Sequence, residues 1–151
     1  NFCVDPGQRW PDIPKEDVPH LLEGALFCMM NDYEKEGIEQ RLSEVGSSFL
    51  ACQGVVITRG EQGMTLITES EHFTVPACPV ERVVDPTGAG DAHRAGFLAG
   101  LSKGMSLLQC SRLATIAAGY AIEHAGTQEH TFTMEEFRTR YQTCWNEQCP
   151  L

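Results

Sequence analysis

The sequence predicts an α/β layered fold, and three observations carry that prediction. Apolar runs of strand length alternate three times with stretches of helical spacing. An alternating pattern between Gly54 and Pro76 reads as a strand followed by an antiparallel hairpin. Small and apolar residues at helical spacing then fill most of the chain after Asp91. Strands first, with a run of helices behind them, fit a sheet layered with helices.

Taken in order, Phe2-Cys3-Val4 is a short apolar strand closed by the turn residues Asp5-Pro6-Gly7. Glu16 to Glu23 is a weak helix, and Pro19 inside it restricts it to a short first turn. Ala25-Leu26-Phe27-Cys28-Met29-Met30 is uninterrupted and apolar, as in a strand buried on both faces. Asn31 or Asp32 then caps a helix that carries Glu34 in its first turn and Ile38, Leu42 and Val45 on one face, with Gly46 as its stop. Gly54 to Thr58 is a strand, Arg59-Gly60-Glu61-Gln62-Gly63 a turn, and Met64–Thr68 with His72–Pro76 the hairpin.

The stretch from Val83 to Asp91 organises the rest. A β-branched run, Val83-Val84, stops at Asp85-Pro86-Thr87, and a helical pattern opens at Asp91. Gly88, Ala89 and Gly90 present almost no side chain, so a ligand can approach the main chain. N–H groups at a helix start, helped by the macrodipole, favour an anion there. A carboxylate beside such a cradle is repelled unless it has another task. For Asp91 the fitting task is general base, taking a proton from a hydroxyl that attacks a terminal phosphate. A Gly-rich helix start with Asp91 as an ordinary cap is the other reading of the same residues.

Beyond Asp91, the residues Ala92, Ala95, Gly96, Ala99 and Gly100 make a small helix face suited to close packing. A second helix from Ser106 to about His124 turns Leu107, Cys110, Ala114, Ala117, Ala121 and Ile122 inward, and Gly126 ends it. Thr133-Met134-Glu135-Glu136 is a capping box opening a last helix through Phe137 and Tyr141. Residues 144–151 are expected to fray.

Composition narrows the function classes. Net charge is −10, and the 11 Lys and Arg residues form no cluster, which argues against a nucleic-acid partner. No apolar run reaches membrane-spanning length. The seven cysteines form no Cys-x-x-Cys pair and several lie in apolar runs, as free thiols in a reducing, cytoplasmic compartment would. His124 and His130 lack metal-ligand spacing.

Asp85-Pro86-Thr87-Gly88-Ala89-Gly90-Asp91 resembles the D-x-T-G-A-G-D signature of the ribokinase-like (PfkB) family of carbohydrate and nucleoside kinases. That resemblance implies a three-layer α/β/α fold, ATP as phosphoryl donor and Mg²⁺ as its companion. It implies an anion hole at Gly88, Ala89 and Gly90, with Asp91 as base. Asn31-Asp32-Tyr33-Glu34 matches the family's N-x-x-E, so Asn31 and Glu34 are expected to organise magnesium and phosphate through water. Thr58, Gly60 and Gly63 match T-x-G-x-x-G and are expected along the nucleotide's phosphates and ribose. Gly126, with Asp85 and Thr87, matches the pattern that flanks adenine and holds a monovalent cation such as K⁺.

His93 departs from the family, which most often has Phe there, and is expected to be a packing variation. Ala121 to His130 resembles the bacterial adenosine kinase-like subgroup. The acceptor is then the hydroxymethyl group of a nucleoside or a sugar. Such kinases are longer than this chain, which opens without Met. The expectation is therefore the C-terminal, nucleotide-binding half of one domain, inactive by itself, from a protein that dimerises through a lid in the other half. A nucleotide-binding fragment without catalysis is the rival reading. Asn31, Thr58 and Asp91 are all expected just past the carboxyl ends of strands, where α/β folds bind ligands.

Overall fold

The structure is a computed structural model that describes residues 2–151, apart from the side chain of Leu50; Asn1 lies outside it. The chain divides into two compact units, Asn1–Gly60 with Met64–Thr74, and Glu61–Gly63 with Val75–Leu151.

The first unit holds a mixed sheet in the order β1 (Cys3–Val4), β2 (Phe27–Asn31), β3 (Gly54–Thr58), β4 (Met64–Thr68), β5 (His72–Val75), the last residue of β5 falling in the second unit. β1, β2 and β3 run parallel and β4 runs antiparallel to β3. β4 and β5, the segments of the expected hairpin, are neighbours in the sheet, with the Thr68 N–H donating to the Glu71 carbonyl at 2.8 Å. Phe27 to Met30 and Gly54 to Ile57 are buried at consecutive positions, hence on both faces of the sheet. This explains why these segments read as unbroken apolar runs and not as alternations. The expected strand 25–30 starts two residues later and ends one later: Ala25 and Leu26 precede β2, and Asn31 ends it.

Two helices cover one face of this sheet. α1 (Val18–Leu22) is short, with Pro19 in its first turn, and α2 (Asp32–Glu44) follows β2 directly. Val18, Leu22, Ile38 and Leu42 pack with Cys28, Met30, Val55 and Ile57 in one core cluster. Burying a side chain such as Leu22 or Leu42 contributes about 1.5–3 kcal/mol. The 3₁₀ turn Gly7–Asp12 is tied onto α2: the Trp10 ring lies where Gly37 has no Cβ, and Arg41 donates to the carbonyls of Pro11 (2.9 Å) and Ile13.

In the second unit, α3 (Ala89–Ser102) and α4 (Leu107–Ile122) pack along their small residues. A Cβ on Gly96 would stand 2.8 Å from the Ala114 Cα, and one on Gly100 3.1 Å from the Cys110 Cα, so the helices meet backbone to backbone. α5 (Met134–Trp145) adds Phe137 and Tyr141 to a core shared with Ala92, Leu113, Ile116, Ala117 and Ala121. Capping boxes start α4 at Ser106 and Gln109, and α5 at Thr133 and Glu136. No helix among the described residues is long and apolar enough to cross a membrane.

The structure corrects four expectations. Val83-Val84 is not a strand: both side chains are exposed, and the Val84 and Asp85 N–H groups share the Ile122 carbonyl instead of a sheet partner. α3 begins at Ala89, two residues before Asp91. The tail does not fray, because Cys149 is buried, Arg112 bonds Glu147, and Arg138 Nε donates to the Leu151 carbonyl at 2.9 Å. Nor are all the cysteines free: Cys78 and Cys144 form a disulfide, leaving Cys3, Cys28, Cys52, Cys110 and Cys149.

Candidate functional site

The sequence-predicted residues fall into two sets, one in each unit, with the turn 60–63 shared between them. In the first unit, Asn31 and Thr58 are the last residues of β2 and β3 and pair with one another across the parallel ladder. Both stand at the carboxyl ends of strands, as predicted. Thr58 Oγ1 donates to the Met30 carbonyl at 3.5 Å.

Asn31 is also the N-cap of α2. Its Oδ1 accepts from the Glu34 N–H at 2.8 Å, and Glu34 Oε2 accepts from the Asn31 N–H at 2.9 Å. This reciprocal box holds Glu34, only 4% exposed, as a buried carboxylate at a helix start. No group of three or more His, Cys, Asp or Glu residues able to hold a metal ion occurs among the described residues. One carboxylate and one amide suit Mg²⁺, which keeps most of its waters and is held largely by phosphates.

Gly60 and Gly63 both have positive φ, at 54° and 87°. A side chain at Gly63 would strike the backbone of Val75 to Ala77, so this turn closes only with glycine.

In the second unit, the segment 83–88 lies against the loop that follows α4. Asp85 Oδ1 accepts from the Thr87 N–H at 2.9 Å and Oδ2 from the Gly126 N–H at 3.0 Å. The hydrogen bonds from Thr87, and then from Gly126, hold the Asp85 carboxyl below the usual carboxylate range. Gly88 caps α3 at φ 84°, and a Cβ there would stand 2.6 Å from the Thr127 carbonyl oxygen. The structure thus brings Asp85, Thr87, Gly88 and Gly126 together.

Ala89, Gly90 and Asp91 form the first turn of α3. The Ala92 N–H makes the first intrahelical bond, to the Gly88 carbonyl at 3.0 Å, and the Ala89 N–H donates to Pro86 at 3.2 Å. The Gly90 and Asp91 N–H groups precede the intrahelical ladder, in the position where helices bind anions. Asp91 does not stand just past a strand end, contrary to expectation, because the strand-free segment 76–88 separates β5 from α3. Its side chain is 83% exposed, and Oδ1 accepts from Arg94 Nη1 at 3.2 Å.

Arg94 was missed in the sequence. Its guanidinium lies beside Gly90 as well as Asp91, placing a cation at the start of α3. The signal was available as an acid and a base three residues apart in a first helical turn. His93 is buried, and neither ring nitrogen has a hydrogen-bond partner among the described residues, as for a residue filling an apolar position. Desolvation, and then the Arg94 charge, push it down to about 4, so it is neutral near pH 7.

The chain is similar to known proteins in both sequence and fold. A family model described as pfkB family carbohydrate kinase matches residues 2–133. A nucleoside kinase of Methanocaldococcus jannaschii is 32% identical over 133 residues, covering 87% of this chain and 44% of that protein. One of Methanothermobacter thermautotrophicus is 36% identical over 152 residues, covering 99% of this chain and 48% of its own length. Among solved structures, Burkholderia thailandensis nucleoside kinase in complex with inosine superposes with a TM-score of 0.91 at 33% identity, over 97% of this chain and 49% of that one. The chain spans about half the length of the curated relatives it matches. Its α/β architecture is the ribokinase-like fold. With 132 of its residues under that family model, the chain belongs to the pfkB family of carbohydrate kinases.

Proposed function

We propose that this chain is the nucleotide-binding and catalytic part of an ATP-dependent kinase that phosphorylates the hydroxymethyl group of a nucleoside. The observation that carries the reading is the α3 start: a glycine-capped turn with outward N–H groups and an exposed carboxylate in one helical turn. Asp91 takes the proton of the acceptor hydroxyl while that oxygen bonds to the γ-phosphorus and the bond to the ADP oxygen breaks. At the Gly88-Ala89-Gly90 turn the Gly90 amide, joined by that of Asp91, stabilises the charge developing on the transferred phosphoryl group, while the Ala89 N–H stays on the Pro86 carbonyl.

Thr58, Gly60 and Gly63 line the nucleotide in this reading, and Gly126 flanks its base. Asn31 and Glu34 would hold Mg²⁺ through water, and Mg²⁺ when bound neutralises phosphate charge. Asp85 and Thr87, with the Gly126 loop, would border a K⁺ site. Cytoplasmic location is part of the same proposal, since ATP is the donor; so is dimerisation of the full-length protein.

A nucleoside acceptor is favoured because two of the similar proteins are nucleoside kinases; membership of a carbohydrate kinase family keeps a sugar as the second reading. The test is ADP release by the full-length protein with Mg-ATP and adenosine, inosine, cytidine, ribose or fructose. Turnover with nucleosides supports the reading, and turnover with sugars alone replaces the substrate class. ATP binding without turnover on any acceptor would leave a nucleotide-binding protein.

A further inference from the structure

The loop that receives Asp85 and Gly88 is anchored from behind by a second polar cluster. Arg140, on α5, donates from Nη1 to Glu123 Oε2 at 2.7 Å and from Nη2 to Glu123 Oε1 at 2.9 Å. The same Nη2 reaches the Pro79 carbonyl at 3.0 Å, and Glu123 Oε1 also accepts from the Glu81 N–H at 3.1 Å. The guanidinium stacks over the Tyr120 ring, 4.6 Å from its centroid. Both side chains are largely buried, at 15% and 18% exposure.

These bonds join three segments at one point: the end of α4, the strap 79–81 and α5. Glu123 is the C-cap of α4 and adjoins Ile122, whose carbonyl takes the Val84 and Asp85 N–H groups at 2.7 and 3.2 Å. Three residues further on, the Gly126 N–H bonds Asp85, and the Thr127 backbone is the surface against which Gly88 turns. The strap enters the Asp85–Gly88 turn from the other side. Both pieces of backbone that shape the turn are thus fixed to one guanidinium.

A planar fork can hold a carboxylate with both arms and still reach a carbonyl, which an ammonium cannot do in the same geometry. Burial opposes the charged form of Glu123, yet the bonds from Arg140 and the Glu81 N–H outweigh it and hold its carboxyl below the usual range.

We propose that Arg140 and Glu123 are positioning residues for phosphoryl transfer. They set the strap 79–81 and the turn it enters against the 122–127 loop, and so fix the turn that presents the Gly90 and Asp91 amides. This assignment rests on the kinase reading for its consequence in catalysis, but not for its structural content.

The experiment compares full-length wild type, Arg140→Met and Arg140→Lys. Amide hydrogen exchange is read at Val84, Asp85 and Gly126, none of which bonds Arg140 directly. Arg140→Met is expected to speed exchange at these three amides by about tenfold or more, while amides inside α3 change by less than about threefold. Arg140→Lys should lie between. The matching kinetic result is a kcat lowered by about 10–100-fold with KM for ATP within about threefold, again with Lys intermediate. Unchanged exchange at the three amides, or a uniform rise throughout the unit, overturns the proposal. If Arg140→Met does not fold, the Lys variant decides by the same three amides. If wild type shows no turnover on any acceptor, the kinase reading falls, and the exchange data still accept or reject the latch.

Discussion

Asn31 and Thr58 face each other as the final pair of the parallel ladder between β2 and β3. One residue thus ends a strand, caps a helix and stands beside the entrance to the 58–63 turn. Removing the cap with Asn31→Ala should cost about 1 kcal/mol in chemical denaturation. Glu34→Gln keeps an acceptor for the Asn31 N–H, so its stability should change by less than about 0.5 kcal/mol. If Glu34 organises Mg²⁺, the same variant raises KM for Mg-ATP. Equal losses of stability and activity in Glu34→Gln would reduce Glu34 to a capping residue.

Gly88 is a position in the 85–91 turn that tolerates no side chain. Its φ of 84° and the Thr127 carbonyl oxygen 2.6 Å from a would-be Cβ both exclude a side chain. Gly88→Ala should destabilise the protein by about 2 kcal/mol or more and abolish transfer. A Gly88→Ala protein with normal melting and turnover would show that the turn does not need its left-handed cap.

Much of this was legible because local chemistry and final structure agree. Asn31 with Glu34, Ser106 with Gln109 and Thr133 with Glu136 announce helix starts through contacts within four residues. Val83-Val84 misled for the opposite reason: β-branched residues favour extended backbone, but only a neighbouring strand makes a sheet, and the partner here is the Ile122 carbonyl alone. The 144–151 tail follows the last helical pattern and shows no periodicity of its own. Its order comes from Arg112, Arg138 and the Cys78–Cys144 bond, 66 residues apart in sequence, which no local pattern announces. The Arg140–Glu123 contact was hidden likewise, by a separation of 17 residues.

His93 gives a pH dependence with a definite sign. Its folded value of about 4 lies below the 6.5 of the unfolded chain. Between these values the unfolded state binds a proton that the folded state does not. The contribution is therefore complete above pH 6.5 and is lost as pH falls towards 4, on the order of 3 kcal/mol in all. Asp85, Glu123 and Glu136, held low by their hydrogen bonds, contribute only further into acid. Denaturation curves at pH 7, 6 and 5 should show the loss in wild type and a flatter profile in His93→Phe. Identical profiles would mean that His93 finds a partner or a solvent path.

The Cys78–Cys144 bond closes a loop of 66 residues, which in the chain-entropy description stabilises by about 4 kcal/mol. Peptide mapping of the denatured, unreduced protein should find Cys78 linked to Cys144 and free thiols at Cys3, Cys28, Cys52, Cys110 and Cys149, and reduction should lower the melting temperature. Free thiols at Cys78 and Cys144 before reduction would return both cysteines to the free state first read from the sequence.

The central claim is that Asp91 is the base at an anion-binding helix start, and the most direct measurement is the turnover of Asp91→Asn in the full-length protein with Mg-ATP and its best acceptor. Asn keeps the shape but cannot take the proton. The expected result is a kcat lower by roughly 10²–10⁴-fold with ATP affinity nearly unchanged. Turnover within about threefold of wild type would contradict the account and leave Asp91 as a first-turn carboxylate paired with Arg94.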